Sequence, residues 1–295
     1  MPRDPEECRA AAPGHTRVRR HRARGDGVRD RTQDSFYDRG SAFAWHDALG
    51  TVDRAVEDGA GIVDIGGVKA GYGADVSVDE ERRRVVDLVL TVRGRHPALV
   101  ISVDTWRSEI ADDVLQAGAD LINDTWAGAD DQLRNVVAKH DAGIVCSHTG
   151  GLPPRTDPHR VRYDDVVAEV ARGVGELARR AVAAGVRPDA IIVDPTHDFG
   201  KNTWHSLELT RRLDELVALD YPVLVSLSNK DFVGETLDLP VEARLPGTLA
   251  ATAISAWHGA RVFRAHQVLE TRQVLDMISS IRGDRPPAVA RRGLA

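Results

Sequence analysis

The feature that most constrains this chain is a rhythm of short, continuously apolar, β-rich runs, each ending in a polar residue and followed by a helical pattern. The runs are Ile62-Val63-Asp64, Leu99-Val100-Ile101-Ser102-Val103-Asp104, Leu121-Ile122-Asn123, Ile144-Val145-Cys146-Ser147-His148, Ile191-Ile192-Val193-Asp194, Val223-Leu224-Val225-Ser226-Leu227-Ser228 and Val262-Phe263-Arg264-Ala265-His266. Apolarity without alternation predicts strands covered on both faces, and so a parallel sheet. Helical patterns fall between the runs, at 79–92, 106–117, 164–184, 207–219 and 249–258. Gly118, Gly185 and Gly259 stand where three of these should stop. Strand and helix alternate with no break in composition, which predicts one α/β domain. Helix capping explains a single strand-end Asp. It does not explain polar endings on every run. In a closed parallel barrel all of them converge on one rim, where active sites sit, whereas an open doubly wound sheet gathers only those near its switch point. The expectation is a (β/α)8 TIM barrel with Asp64, Asp104, Asn123, His148, Asp194, Ser228 and His266 around its mouth.

The eighth strand is the difficulty. It should lie upstream of Phe36, where residues 17–31 hold seven arginines and only Val18, Ala23 and Val28 as apolar residues. Burying such a run leaves charges without water, at several kcal/mol per unpaired ion. Three readings stay open: a basic arm for an anionic partner, a misread reading frame, or a degraded first strand. The expected division is therefore an arginine-rich segment 1–31, a barrel 32–283 and a tail 284–295. The 295 residues suffice for a barrel of about 250. Their 42% hydrophobic content excludes disorder, and a net charge of −6 gives no general attraction to nucleic acid. Cys8 and Cys146 cannot build a disulfide framework. No apolar run approaches the roughly 20 residues of a membrane span, and no signal-peptide core follows Met1. The expectation is a cytoplasmic protein without nucleic-acid or membrane partners.

From Thr32 onward the strand-end motifs, in order, resemble the dihydropteroate synthase family. They are Thr32-Gln33-Asp34-Ser35-Phe36, Asp64-Ile65-Gly66-Gly67, Ser102-Val103-Asp104-Thr105, Ile122-Asn123-Asp124, Asp194-Pro195 with Phe199-Gly200-Lys201-Asn202, Ser228-Asn229-Lys230 and Arg264-Ala265-His266. In detail the chain is most similar to the diverged second paralogue that some bacteria carry beside the true synthase. The family joins 6-hydroxymethyl-7,8-dihydropterin diphosphate to p-aminobenzoate and releases pyrophosphate, by a dissociative route through a pterin cation. The resemblance implies that Asp104, Asn123, Asp194 and Lys230 hold the pterin, with the carboxylates accepting from its N–H groups and Asn and Lys donating. It gives Asp104 and Lys230 the catalytic places, Asp104 favouring the cation. Arg264 and His266 match the pyrophosphate pair, and a guanidinium suits a bidentate phosphate contact. Phe199, Ser228 and Lys69 fall on the aminobenzoate side, which in the family also takes sulfone and sulfonamide analogues. Mg2+ is implied as cofactor, with Asp30 standing where the family has its Asn ligand. A homodimer is implied too, through a face that could include Leu249, Ile254 and Trp257.

The chain departs from the family mostly on the second-substrate side. Where the family reads Glu-Ser-Thr-Arg-Pro-Gly, this chain reads Val68-Lys69-Ala70-Gly71-Tyr72-Gly73, so Thr becomes Ala70 and Arg becomes Gly71. Ser-Arg-Lys becomes Ser228-Asn229-Lys230. The expected function is a pterin-binding protein whose condensation is absent or very weak. The alternatives are an active synthase in which Lys69 and Asp30 substitute for the lost groups, and a non-catalytic pterin sensor or partner subunit. His197 and Asp198 read as a hydrogen-bonded loop pair, or as an acid–base pair or metal ligand. His148 reads as pterin floor or core-rim histidine, and Cys146 as a buried small apolar residue.

Overall fold

The computed structural model describes residues 24–30, 41–69, 71, 73, 75–156 and 162–292, the side chains of 24–30 and 41–45 excepted. The motif at 32–36 lies outside these residues. The described strands are β1 (Arg24–Asp30), β2 (Ile62–Gly66), β3 (Val100–Asp104), β4 (Leu121–Asp124), β5 (Gly143–Ser147), β6 (Ile191–Asp194), β7 (Leu224–Ser226) and β8 (Val262–Ala265). The helices are α1 (Ser41–Glu57), α2 (Val78–Arg95), α3 (Ser108–Gln116), α4 (Leu133–Lys139), α5 (Val166–Ala183), α6 (Thr203–Arg211), α7 (Leu213–Val217), α8 (Asp231–Leu237), α9 (Leu245–His258) and α10 (Val268–Ile281). All strand pairings among the described residues are parallel, in the order β6-β5-β4-β3-β2-β1-β8-β7. A parallel bridge from Val193 to Val223, with Val193 N–H donating to Pro222 O at 2.9 Å, joins β6 to the β7 side and closes the ring.

Of the three readings left open for the arginine-rich stretch, residues 24–30 take the form of the first strand. Residues Arg24–Asp30 fill the gap between β8 and β2, with Asp26 opposite Arg264 and Asp30 opposite Gly66. The pairing is made by main-chain groups that every one of these residues carries, so a charge-rich sequence does not forbid it. Without it the facing edges of β2 and β8 would keep unpaired N–H and C=O groups. The scarcity of apolar residues in this segment hid the strand from its sequence.

The helices form where polar starts and glycine stops allow. Ser77 caps α2 by accepting from Glu80 N–H, Asp165 caps α5 through Val167 and Ala168, and Asn202 forms a capping box with His205 on α6. Gly118 and Gly259 both take φ of 107°, the left-handed stop expected of them. The single helix expected over 207–219 is two, broken at Arg212, whose guanidinium reaches Asp165, Glu208 and Glu215. No helix among the described residues is long and apolar enough to cross a membrane.

Alternation along each strand divides the apolar residues into two bodies. The larger lies between strands and helices and includes Ile101, Val103, Ile122, Ile144, Ile191 and Phe263. The smaller is a plug inside the barrel made of Leu121, Val145, Ile192, Leu224 and Val262, with Ile62 packed against it. Everything polar in the mouth rests on that plug.

Candidate active site

Two residues beyond each of four plug positions, on the same strand face, stand Asp64, Asn123, Asp194 and Arg264. The contacts prove that they point inward. Asn123 Nδ2 on β4 donates to Asp64 Oδ2 on β2 at 3.0 Å, with β3 lying between. Arg264 Nε on β8 comes within 3.2 Å of the same oxygen, with β1 between. Ser102 Oγ donates to Asp64 Oδ1 at 2.6 Å. Asp64 thus sits at the centre of a buried polar layer, and the site residues carried by the resemblance gather around it.

Asn123 departs from expectation in its polarity. Its amide N–H2 is spent on Asp64, while its Oδ1 is buried without a partner. The nitrogen end is the one turned to Asp64, because an ionised carboxylate can only accept.

Asp104 ends β3 opposite Asn123 and receives Thr125 Oγ1–H at 2.7 Å. Asp194 ends β6 opposite Ser147 and receives Thr196 N–H at 2.6 Å. Burial pushes the Asp194 carboxyl up to about 6, against the pull of the Thr196 N–H and the charges of Lys230, Lys201 and Arg264. Those three cations therefore lie near enough to Asp194 to favour its charged form. Lys230 Nζ lies 4.6 Å from the Phe199 ring centroid, a cation–π distance. The edge of buried Trp126 meets the same Phe199 ring at 6.0 Å. Ser228 Oγ accepts the His266 N–H at 3.3 Å and ties the ends of β7 and β8 together. The structure thus brings Asp104, Asn123, Asp194, Lys230, Phe199, Ser228, Arg264 and His266 to one mouth. Lys69 lies exposed on the loop after β2.

Several other residues find structural explanations. Lys201 is buried and donates to His148 O at 2.7 Å, Phe199 O at 2.8 Å and Thr196 O at 3.2 Å, fixing the loop that carries Phe199. Burial lowers its ammonium to about 7. His197 is no acid–base partner of Asp198. It stacks on Phe232 at 5.7 Å, meets Thr210 Oγ1 at 3.2 Å, and burial takes it down to about 3, so it is neutral. Asp198 instead accepts Asp231 N–H at 2.6 Å and Phe232 N–H at 3.3 Å, capping α8, and takes Ser206 Oγ–H on its other oxygen. The two residues do not form a pair with each other. His148 turns outward, its ring against Gly173 of α5 and 6.0 Å from Tyr163, which makes it a rim histidine and not a floor. Cys146 is buried, and burial pushes its thiol up to about 12, far from a nucleophile.

Sequence reasoning put Asp64 at the mouth without giving it a role, and missed Ser102, Thr125, Trp126 and Lys201 as parts of the site. The two-residue step from Ile62 at the apolar plug singles out Asp64, and Ser102, visible inside a strand-end motif, joins it through its hydroxyl. Thr125, Trp126 and Lys201 lie beyond strand ends, where periodicity says nothing. Among the described residues no three His, Cys, Asp or Glu side chains gather as a metal site, and the Asp30 side chain lies outside them.

Residues 27–266 match the model of the family described as pterin binding enzyme. The chain is 56% identical over 270 residues to the inactive dihydropteroate synthase 2 of Mycobacterium leprae, covering 90% of this chain and 93% of that one. It is 35% identical over 257 residues to the dihydropteroate synthase of Bacillus subtilis, covering 86% and 87%. It superposes on the Xanthomonas albilineans dihydropteroate synthase with 4-aminobenzoic acid at a TM-score of 0.81 and 34% identity, covering 91% of this chain and 94% of that one. With the barrel, the buried polar mouth and these likenesses together, the chain belongs to the pterin-binding, dihydropteroate synthase-like family.

Proposed function

We propose that this mouth binds a pterin as a dihydropteroate synthase does, and that the chain catalyses the condensation with p-aminobenzoate very weakly or not at all. The observation that carries the binding half is the buried layer itself: acceptors Asp104, Asn123 Oδ1 and Asp194 stand over an apolar plug, with the Lys230 charge near Asp194. A pterin edge rich in N–H groups fits such a row of acceptors, and Asn123 Oδ1, buried without a partner, is costly until one is supplied. Asp104 places negative charge where a pterin cation would develop. Phe199, with Lys230 above its ring, supplies a wall for the aminobenzoate or a sulfonamide analogue, and Ser228 is given to the carboxylate by the resemblance. Arg264 and His266 take the pyrophosphate. Mg2+, held by Asp30 at the rim opposite Gly66, would neutralise leaving-group charge when bound.

The weak-catalysis half rests on what faces the second substrate. Ala70 and Gly71 replace a hydroxyl and a guanidinium, and exposed Asn229 replaces another Arg. Two transition-state contacts at about 1–3 kcal/mol each amount to roughly 30- to 25,000-fold in rate. Relatives such as the M. leprae protein carry the name inactive, in keeping with this. We also propose a cytoplasmic homodimer through α9 and its neighbours, where Ile254 and Trp257 are 49% and 54% exposed beside half-buried Leu249.

The test is calorimetry with 6-hydroxymethyl-7,8-dihydropterin diphosphate, followed by pyrophosphate release on adding p-aminobenzoate. Binding with turnover at least about a hundredfold below ordinary family members is expected. Ordinary turnover overturns the weak-catalysis half, and no pterin binding overturns the whole reading.

A further inference from the structure

We propose that Asp64 is a positioning residue that sets the polarity of the slot: it holds the Asn123 carboxamide with its oxygen toward the ligand, so that the slot selects a ligand presenting an N–H donor there. This inference rests on the pterin reading and deepens it.

A carboxamide has two nearly isosteric ends, and only its neighbours decide which end faces where. Here the neighbour accepts and cannot donate. Both Asp64 oxygens are engaged, Oδ1 by the Ser102 hydroxyl at 2.6 Å and Oδ2 by Asn123 Nδ2 at 3.0 Å. Turning the amide would set Asn123 Oδ1 against Asp64 Oδ2 in a layer where Asp64 and Asn123 are only 6% and 5% exposed. Two facing acceptors out of water repel, and the amide hydrogens would lose their partner. Arg264, 3.2 Å from Asp64 Oδ2, supplies the balancing charge and joins the same unit. Asn123 Oδ1 is left buried with no protein partner, and register puts it beside Asp104. The consequence is chemical selectivity. A 2-amino-4-oxopteridine carries an exocyclic amine and a ring N–H side by side, whereas a 2,4-dioxopteridine replaces the amine donor with an acceptor.

The variants Asp64→Asn, Asn123→Asp and the exchange of both are compared with wild type by calorimetry with 6-hydroxymethylpterin and by thermal melting. In Asp64→Asn the new amide serves Ser102 with its oxygen and turns its N–H2 on Asn123, which then presents N–H2 to the ligand. Pterin affinity should fall at least tenfold. In Asn123→Asp two carboxylates face each other, with a similar loss. The exchange restores donor to acceptor across the pair and returns an acceptor to the ligand, so affinity should recover to within about threefold of wild type. Undiminished binding by Asp64→Asn, or an exchange no better than the single variants, overturns the proposal. Should wild type bind no pterin, the functional reading fails by itself, and melting still decides: each single variant lowers the midpoint and the exchange restores it if Asp64 orients Asn123. Should a variant not fold, side-chain amide exchange in 15N-labelled wild type answers instead. Slow exchange of the Asn123 N–H2 is expected, and exchange at the rate of surface asparagines overturns the orientation.

Discussion

Asp198→Ala probes how the site's Lys230 is held. Helix α8 begins immediately after Lys230, and Lys230 as its N-cap makes no side-chain cap hydrogen bond. The first-turn N–H groups of Asp231 and Phe232 are met from another loop, by Asp198 Oδ2 at 2.6 and 3.3 Å. The other oxygen takes the Ser206 hydroxyl of α6 at 3.0 Å. Asp198 therefore staples the loop after β6 to the start of α8 and to α6. Loss of a cap costs about 1 kcal/mol, loss of a carboxylate at a helix N-terminus about 0.3–1 kcal/mol, and loss of the Ser206 bond about 1 kcal/mol. The sum is about 2–3 kcal/mol, or roughly 4–6 °C in melting midpoint for a chain of this size. Asp198→Asn keeps an acceptor and sheds only the charge, so its midpoint should fall between wild type and Asp198→Ala. Differential scanning calorimetry gives the order directly. An unchanged midpoint for Asp198→Ala, or equal losses for Ala and Asn, refutes the cap. If α8 loosens as argued, pterin affinity also weakens in the Ala variant, because Lys230 is the residue next to the released turn.

Pterin binding should depend on pH through Asp194: with its carboxyl raised to about 6 by burial, affinity falls up to about tenfold per unit below pH 6 and is level above it, as calorimetry from pH 5 to 8 would record. The same logic applies to stability at Asp124, which burial raises to about 7. The folded chain keeps a proton that the unfolded chain has released between pH 4 and 7, so stability declines through that window by at most about 1.4 kcal/mol per unit, and Asp124→Asn flattens the slope in urea titrations. Gly173→Ala would set a Cβ 2.7 Å from His148 Cδ2, and a loss of about 1–3 kcal/mol is expected in denaturant unfolding, relieved by pairing it with His148→Ala. Arg107→Ala strips the 2.7 Å partner from fully buried Glu81, and about 2–4 kcal/mol should be lost by the same measurement, although Arg84 and Thr105 remain beside that carboxylate.

Much of this site was legible before any coordinates. Asp104, Asn123, Asp194 and Arg264 lie at or next to the ends of apolar runs, and a closed barrel leaves such residues no other place than the mouth. The same rhythm put Ser228 and His266 at the mouth, and motif likeness added Lys230 and Phe199, which stand in loops where period carries no information. His148 misled because it ends its run like the others. It stands one residue past Ser147 and so faces the helices, since a one-residue step reverses the side of a strand. The His197–Asp198 pair misled in the opposite way: adjacent in sequence, the two side chains leave the backbone toward different partners.

The chain's alternating apolar runs and helices, by themselves, determined a parallel barrel and the ring of polar groups at one end, because burial on two faces and a polar exit are properties that local composition writes plainly. Tertiary structure alone decided three things: that Arg24–Asp30 completes the ring despite its charges, that Asp64 is the hub of the polar layer, and that Asn123 turns its amide nitrogen to Asp64. Each depends on groups far apart in the chain meeting across the barrel, where main-chain pairing and the one-way acceptor chemistry of a carboxylate set the outcome.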